Sequence, residues 1–207
     1  MIKNIIFDFD GVILDSIPIK TEAFGALFKD FPADQVDQLL TYHLENGGLS
    51  RYVKIRYFFE TLRHESIAEE EVAAYAHRYS LLTKKALCEP GFLIDDTMEF
   101  IRKNHGRYRM HIASGADDAD LKYICKMLKI DTYFISIDGA PTKKVDIVRN
   151  IIEVNNYKKE ETILIGDSIN DFQAAENNDL RFFGYNNEKL CHEHAYLKSF
   201  RETAFDE

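Results

Sequence analysis

Apolar residues run almost unbroken through residues 2–9, interrupted only by Lys3, Asn4 and Asp8. Such a run, without strict alternation, is what a strand covered on both faces of a parallel sheet requires. Segments 108–113, 133–137, 162–165 and 180–183 share that character. Between them the apolar spacing is helical over 97–104, 117–128, 144–155 and 171–177. Strand and helix therefore alternate, which predicts an α/β fold with a doubly wound, Rossmann-like core around a parallel sheet.

Residues 16–87 break the alternation and read as consecutive helices. Pro18 suits a first turn, and Ile19, Ala23, Phe24 and Leu27 follow at helical spacing as far as Pro32. Val36, Leu39, Leu40, His43 and Leu44 form a second stripe, ended by Asn46-Gly47-Gly48. Ser50 caps a third helix carrying Val53, Tyr57 and Phe58, and Ser66 with Glu69 reads as a capping box before Val72, Tyr75, Ala76 and Tyr79. This stretch is too long for a connecting loop. Inserted after the first strand, it sits over the strand ends where open α/β sheets bind ligands, as a helical cap. The expected division is a core of residues 1–15 and 88–207 and a cap domain of residues 16–87.

Composition narrows the setting. The 207 residues are 45% apolar and carry a formal net charge of −9, which argues against nucleic acid or an anionic membrane surface as partner. No apolar stretch reaches the ~20 residues of a membrane span, and no signal peptide precedes the first strand, so the cytoplasm is the default compartment. Cys88, Cys125 and Cys191 are scattered, unlike a disulfide framework or zinc site. Cys125 lies on the apolar stripe of Leu121, Ile124 and Leu128 and reads as a buried small hydrophobe.

Four short elements carry candidate chemistry. Asp8 and Asp10 stand at the end of the first strand on the same face, before Gly11. Asp167 and Asp171 follow the strand that ends at Gly166. Four acids at two strand ends are the hard oxygen donors that magnesium prefers. Ser114 and Gly115 close the middle strand, where a hydroxyl and backbone N–H groups can hold a phosphate oxygen. Lys143 and Lys144 open the helix over 144–155 and can neutralise an incoming phosphate. Each element also has a purely structural reading: solvated acids, a Ser or Asp helix cap, a Ser-Gly turn, a solvated lysine.

All four in this order, each after a predicted strand and with helices inserted after the first, resemble the haloacid dehalogenase superfamily over almost the whole chain. The resemblance implies a phosphatase acting on a small phosphorylated metabolite, with Mg2+ as cofactor. It implies Asp8 as nucleophile and Asp10 as acid and base. Asp8, the backbone carbonyl of Asp10, Asp167 and Asp171 then hold the metal, while Ser114, Gly115 and Lys144 (or Lys143) grip the phosphoryl group. Asp10 favours phosphoryl transfer over dehalogenation, which needs no proton at that place.

The rival within the family is a phosphosugar mutase of the β-phosphoglucomutase type. Gly48-Leu49-Ser50-Arg51 resembles its cap loop, whose arginine binds a distal phosphate, but Lys20 stands where the mutase has a histidine. A non-catalytic, partner-binding member is a further alternative. Tyr42, His43, Arg51 and Lys54 can meet substrate if the cap closes, although His43 also reads as a packed core residue. His192 and His194 lie outside the motifs and read as surface residues. A monomer is the expected state.

Overall fold

The computed structural model describes residues 1–202 and 205, so the last part of the predicted core, residues 203, 204, 206 and 207, lies outside the described residues. Six parallel strands form one sheet in the order β3-β2-β1-β4-β5-β6. They are β1 (Asn4–Phe7), β2 (Arg109–Asp117), β3 (Ser136–Ala140), β4 (Thr162–Gly166), β5 (Arg181–Tyr185) and β6 (Tyr196–Leu197). Phe7 is in register with Ile112 on one side and Ile165 on the other. The carboxyl ends of β2, β1 and β4 therefore stand side by side, and these strands lead into Ser114, Asp8 and Asp167.

Side chains alternate across this sheet as strand geometry demands. Ile5, Phe7, Met110, Ile112, Ile163 and Ile165 pack against Met98, Ile101, Leu121, Ile124 and Cys125 on one face. Those partners come from α5 (Asp95–Asn104) and α6 (Asp118–Met127). Ile6, Ala113 and Leu164 face Ile147, Val148, Ile151, Ala174 and Ala175 on the other, from α7 (Lys144–Asn155) and α8 (Ile169–Glu176). Both faces are covered, which is why the strands read as apolar runs.

The inserted helices are α1 (Ile17–Leu27), α2 (Ala33–Glu45), α3 (Arg51–Arg56) and α4 (Glu69–Thr83), with α3 continuing as a π-helical turn over Tyr57–Leu62. They bury a separate apolar cluster that includes Phe24, Phe28, Leu39, Ile55, Phe58 and Tyr79. Ser50 caps α3, its Oγ accepting from the Val53 N–H at 3.4 Å. The capping box expected at Ser66 and Glu69 is displaced: α4 begins after Ala68, whose N–H donates to Glu71 Oε2 at 3.1 Å. No helix among the described residues is long and apolar enough to cross a membrane.

Two further expectations shift, and one strand, β6, has no counterpart in the sequence reading. The strand predicted over 133–137 forms at Ser136–Ala140, because Tyr133 and Phe134 are drawn into the core beside a short helical turn at Asp131–Tyr133. β6 has only two residues, too few for a periodic signal. His194, read as a surface residue, is half-buried and stacks on Phe172 with ring centroids 4.1 Å apart.

Candidate active site

β1 ends at Phe7, but the Asp8 N–H still donates to Ile165 O at 2.9 Å, which carries Asp8 to the edge of the sheet beside β4. The chain then turns through Gly11 at φ +78°, where any Cβ would collide with the Asp167 carboxylate. Glycine is therefore required both by the turn and by the acid behind it.

Asp8 is 2% exposed. Its Oδ1 accepts from Lys144 Nζ at 2.7 Å, and its Oδ2 is buried with no hydrogen-bond partner. Lys144 also pairs with Asp171 Oδ1, while Asp171 Oδ2 accepts from the Ser168 N–H at 3.0 Å and from Ser168 Oγ at 2.7 Å. Asp171 thus fixes Lys144 and closes the first turn of α8. Asp8, Asp167 and Asp171 each present an oxygen within 4.8 Å of the others.

The electrostatics follow from this crowding. Burial, then repulsion from Asp171, pushes Asp8 from 3.8 up to about 7 despite Lys144. Burial and the Asp8 charge raise Asp167 well above the ordinary carboxylate value. Burial alone lowers a lysine, yet Asp171 and Asp8 outweigh it and raise Lys144. Three buried carboxylates share one ammonium, and a divalent cation is the species that relieves the remaining repulsion.

Asp10 does not join this group. The chain leaves the strand before it, and its Oδ1 accepts from Ser16 Oγ at 2.5 Å and pairs with Lys20 Nζ at 2.5 Å. Burial would raise its pKa, but the Lys20 charge and hydrogen bond hold it below the ordinary value. Lys20, singled out in the sequence only as a departure from a mutase pattern, is therefore the direct partner of the second acid. Ser114 is fully buried at the end of the regular β2–β3 register, its Oγ accepting from the Ala116 N–H at 3.0 Å. A Cβ on Gly115 would strike the carbonyl of Gly48, so this glycine lets the loop between α2 and α3 rest on the core.

That loop closes the cap over the sheet. Asn170 Nδ2 donates to Gly47 O at 2.6 Å, and Tyr52 OH donates to Asp117 Oδ2 at 2.6 Å. Beneath it lies a cavity of about 290 Å³ whose lining includes Asp10, Lys20, His43, Arg51, Lys54 and Asp167. Arg51, predicted to meet substrate, lines the cavity but is committed elsewhere. Its Nη1 donates to Asp120 Oδ2 at 2.9 Å, Ser80 Oγ at 2.5 Å and Ala76 O at 3.4 Å. Of the other cap candidates, His43 and Lys54 line the cavity, whereas Tyr42 stacks on Tyr57 with centroids 3.6 Å apart.

A family model described as haloacid dehalogenase-like hydrolase matches residues 2–179. Phosphoglycolate phosphatase 1 of Pseudomonas aeruginosa is 26% identical over 210 residues, covering 93% of this chain and 74% of that protein. A 5'-nucleotidase of the same organism is 24% identical over 187 residues, covering 87% and 81%. Among solved structures, β-phosphoglucomutase from Clostridium difficile matches with a TM-score of 0.79 at 18% identity, covering 100% of this chain and 95% of that one. CbbY from Rhodobacter sphaeroides in complex with phosphate gives 0.75 at 20% identity, covering 98% and 96%. At these identities the structural likeness speaks for the fold, a doubly wound sheet beneath a helical cap.

Proposed function

Because the chain belongs to the haloacid dehalogenase-like hydrolase family, we propose that it hydrolyses a small phosphate monoester through a covalent phosphoaspartate on Asp8. The observation that carries this reading is the setting of Asp8: a buried carboxylate at a strand end, bonded to Lys144 and gathered with Asp167 and Asp171. Relatives named phosphoglycolate phosphatase and 5'-nucleotidase support a small soluble ester as substrate.

The residues fit Mg2+. Asp8 Oδ2 is an orphaned buried oxygen, and burial together with the repulsion of neighbouring acids raises both Asp8 and Asp167. Asp8, Asp167 and Asp171, with the backbone carbonyl of Asp10, would hold the ion. When bound it supplies positive charge against the repulsion between carboxylate and phosphate.

An Asp8 oxygen attacks phosphorus as the bond from phosphorus to the ester oxygen breaks, and the leaving oxygen takes its proton from Asp10. Asp10 then accepts a proton from water as the water oxygen attacks the phosphoaspartate, releasing phosphate and restoring Asp8. Lys144 stays against Asp8 and offers its charge where negative charge spreads over the phosphoryl oxygens. Ser114 and the backbone around Gly115 contribute hydrogen bonds once the phosphoryl group is seated. The ion pair between Lys20 and Asp10 means that the acid is not protonated at rest. Substrate must displace Lys20, or share it, so that Asp10 takes up a proton from solvent or from the arriving ester's P–OH before it gives that proton to the leaving oxygen.

The mutase reading loses its main support in the sequence, because the guanidinium of Arg51 is held by Asp120 and Ser80. The test is phosphate release from a panel of small phosphate esters with and without magnesium, combined with trapping and mass analysis of the acyl phosphate. Release that depends on magnesium, with an adduct on Asp8, is the expected result. Release without any adduct, or undiminished in Asp8→Asn, overturns the proposal.

A further inference from the structure

Of the four buried or half-buried cations near the catalytic face among the described residues, three are held by a carboxylate. Lys144 is held by Asp8 and Asp171, Lys20 by Asp10 and Arg51 by Asp120. The exception is Lys54. It is 4% exposed, sits on α3 and lines the cavity beneath the cap. Its Nζ meets His43 Nδ1 at 2.9 Å and His43 O at 3.4 Å, and no carboxylate pairs with it among the described residues. The charges of Asp10 and Asp167 reach it only from a distance; an ammonium taken out of water without a counter-charge in contact is costly, so its retention at a cavity wall points to an anion that arrives from outside.

We propose that Lys54, positioned by His43, binds a second anionic group of the substrate, a carboxylate or phosphate carried on a short chain beyond the ester being cleaved. This rests on the hydrolase reading and names the substrate class it serves. His43 is the positioning residue. It is 7% exposed, and its ring lies 5.0 Å from that of Phe24, which holds it in place. With Lys54 charged, Nδ1 accepts from Nζ and turns the ammonium. Nζ has three N–H groups, and among the described residues only these two contacts to His43 occupy it. Burial, then repulsion from Lys20, lowers Lys54 to about 7, and an anion bound beside it would stabilise the charged form. Arg51, the cation a sequence reading picks for this role, has its own acid already.

Three esters built on the same two-carbon unit separate the possibilities: ethyl phosphate with a neutral tail, phosphoglycolate with a carboxylate, and ethylene glycol bisphosphate with a second phosphate. The wild-type chain with magnesium should favour one or both acidic esters over ethyl phosphate in kcat/KM, and which one it favours identifies the anion. In Lys54→Met, which keeps the aliphatic stem, that preference should fall about 10- to 100-fold, the range for losing a hydrogen bond to a charged group. Calorimetry on the full Asp8→Asn chain, with and without the Lys54→Met change, reads the same ratio as affinity without turnover. A wild type that prefers the neutral ester overturns the proposal whether or not the variant folds. So does an unchanged ratio in the variant, or no binding of any of the three esters. Affinity governed by Lys54 without hydrolysis would leave this proposal standing and remove the hydrolase reading. Hydrolysis with an unmoved ratio would do the reverse.

Discussion

Lys20 Nζ lies 2.5 Å from Asp10 Oδ1, an ion pair that joins the first cap helix to the acid expected to protonate the leaving group. The contact sets the charge of Asp10. With Lys20 present the acid is held below its ordinary value against the opposing effect of burial. Removing the cation leaves burial to act, so the pKa of Asp10 rises. Because Asp10 must carry a proton to expel a poor leaving group, activity falls as pH climbs past that pKa. In Lys20→Met the descending limb of the kcat/KM profile for an alkyl phosphate should move to higher pH. The profile for p-nitrophenyl phosphate, whose leaving group needs no proton, should move little. Equal movement of both profiles would remove Asp10 from the role of acid.

Asp8 poses the opposite case, a group whose charge the fold opposes. Its folded pKa of about 7 lies above the ordinary 3.8. Ionisation therefore costs stability progressively as pH rises from about 4 to 7, and the full cost persists above that. The neutral isostere in Asp8→Asn escapes it while Lys144 keeps Asp171. Without magnesium at pH 8 the variant should be more stable by about 1–3 kcal/mol after discounting the lost bond to Lys144, several degrees in Tm. Phosphate release should be abolished at the same time. A lower Tm in the metal-free variant would show that Lys144 outweighs the crowding of the acids.

What the sequence disclosed and what it hid divide along a physical line. Residues 144–155 were bounded as a helix to the residue, and the acids at the ends of β1 and β4 were found, because apolar periodicity and strand ends are local signals. The resemblance then supplied the roles. The contacts made by Lys20, Lys54 and Arg51 were hidden, since each depends on how the cap lies against the core. Arg51 and Asp120 are 69 positions apart, and nothing near either announces the other. The alternation of Asp8 and Asp10 on one face also misled in part, because the strand stops at Phe7 and Asp10 turns toward the cap.

The pair formed by Arg51 and Asp120 is buried on both sides and bridges cap to core, with Ser80 Oγ donating to Asp120 Oδ2 at 2.6 Å and Lys84 Nζ 3.2 Å from Oδ1. Its two halves are not equally supported. Asp120→Ala leaves the Arg51 guanidinium buried with only neutral oxygens and the Tyr79 ring, whereas Arg51→Met leaves Asp120 with Ser80 and Lys84. Breaking a buried pair from the side that strands a charge costs about 3–5 kcal/mol. Asp120→Ala should therefore destabilise by about that much in urea unfolding, and Arg51→Met by clearly less. The same Arg51→Met protein should keep its KM for small esters within about threefold, a change below 1 kcal/mol. A large rise in KM with little loss of stability would return Arg51 to the substrate.

His111 on β2 is fully buried between two hydroxyls. Ser136 Oγ donates to Asp138 Oδ2 at 2.7 Å, so at its 2.9 Å contact with His111 Nδ1 the serine oxygen accepts and the ring proton sits on Nδ1. Nε2 then accepts from Tyr157 OH at 2.9 Å. A second proton on Nε2 would face a donor, and burial, against the opposing charge of Asp138, lowers the pKa from 6.5 to about 4. The folded chain thus holds the neutral ring while the unfolded chain protonates below about 6.5. The stability due to His111 is complete above that pH and is lost as pH falls from 6.5 toward 4. The loss over that window should be on the order of 3 kcal/mol, since each tenfold change in proton affinity is worth about 1.4 kcal/mol. His111→Gln has no proton to gain, so it will be less stable than wild type at pH 7.5, and the gap should narrow steadily between pH 6.5 and 4 in chemical unfolding. Groups away from His111 titrate alike in both proteins and cancel in that difference, so a gap that stayed constant would mean that the ring is not kept neutral by the fold.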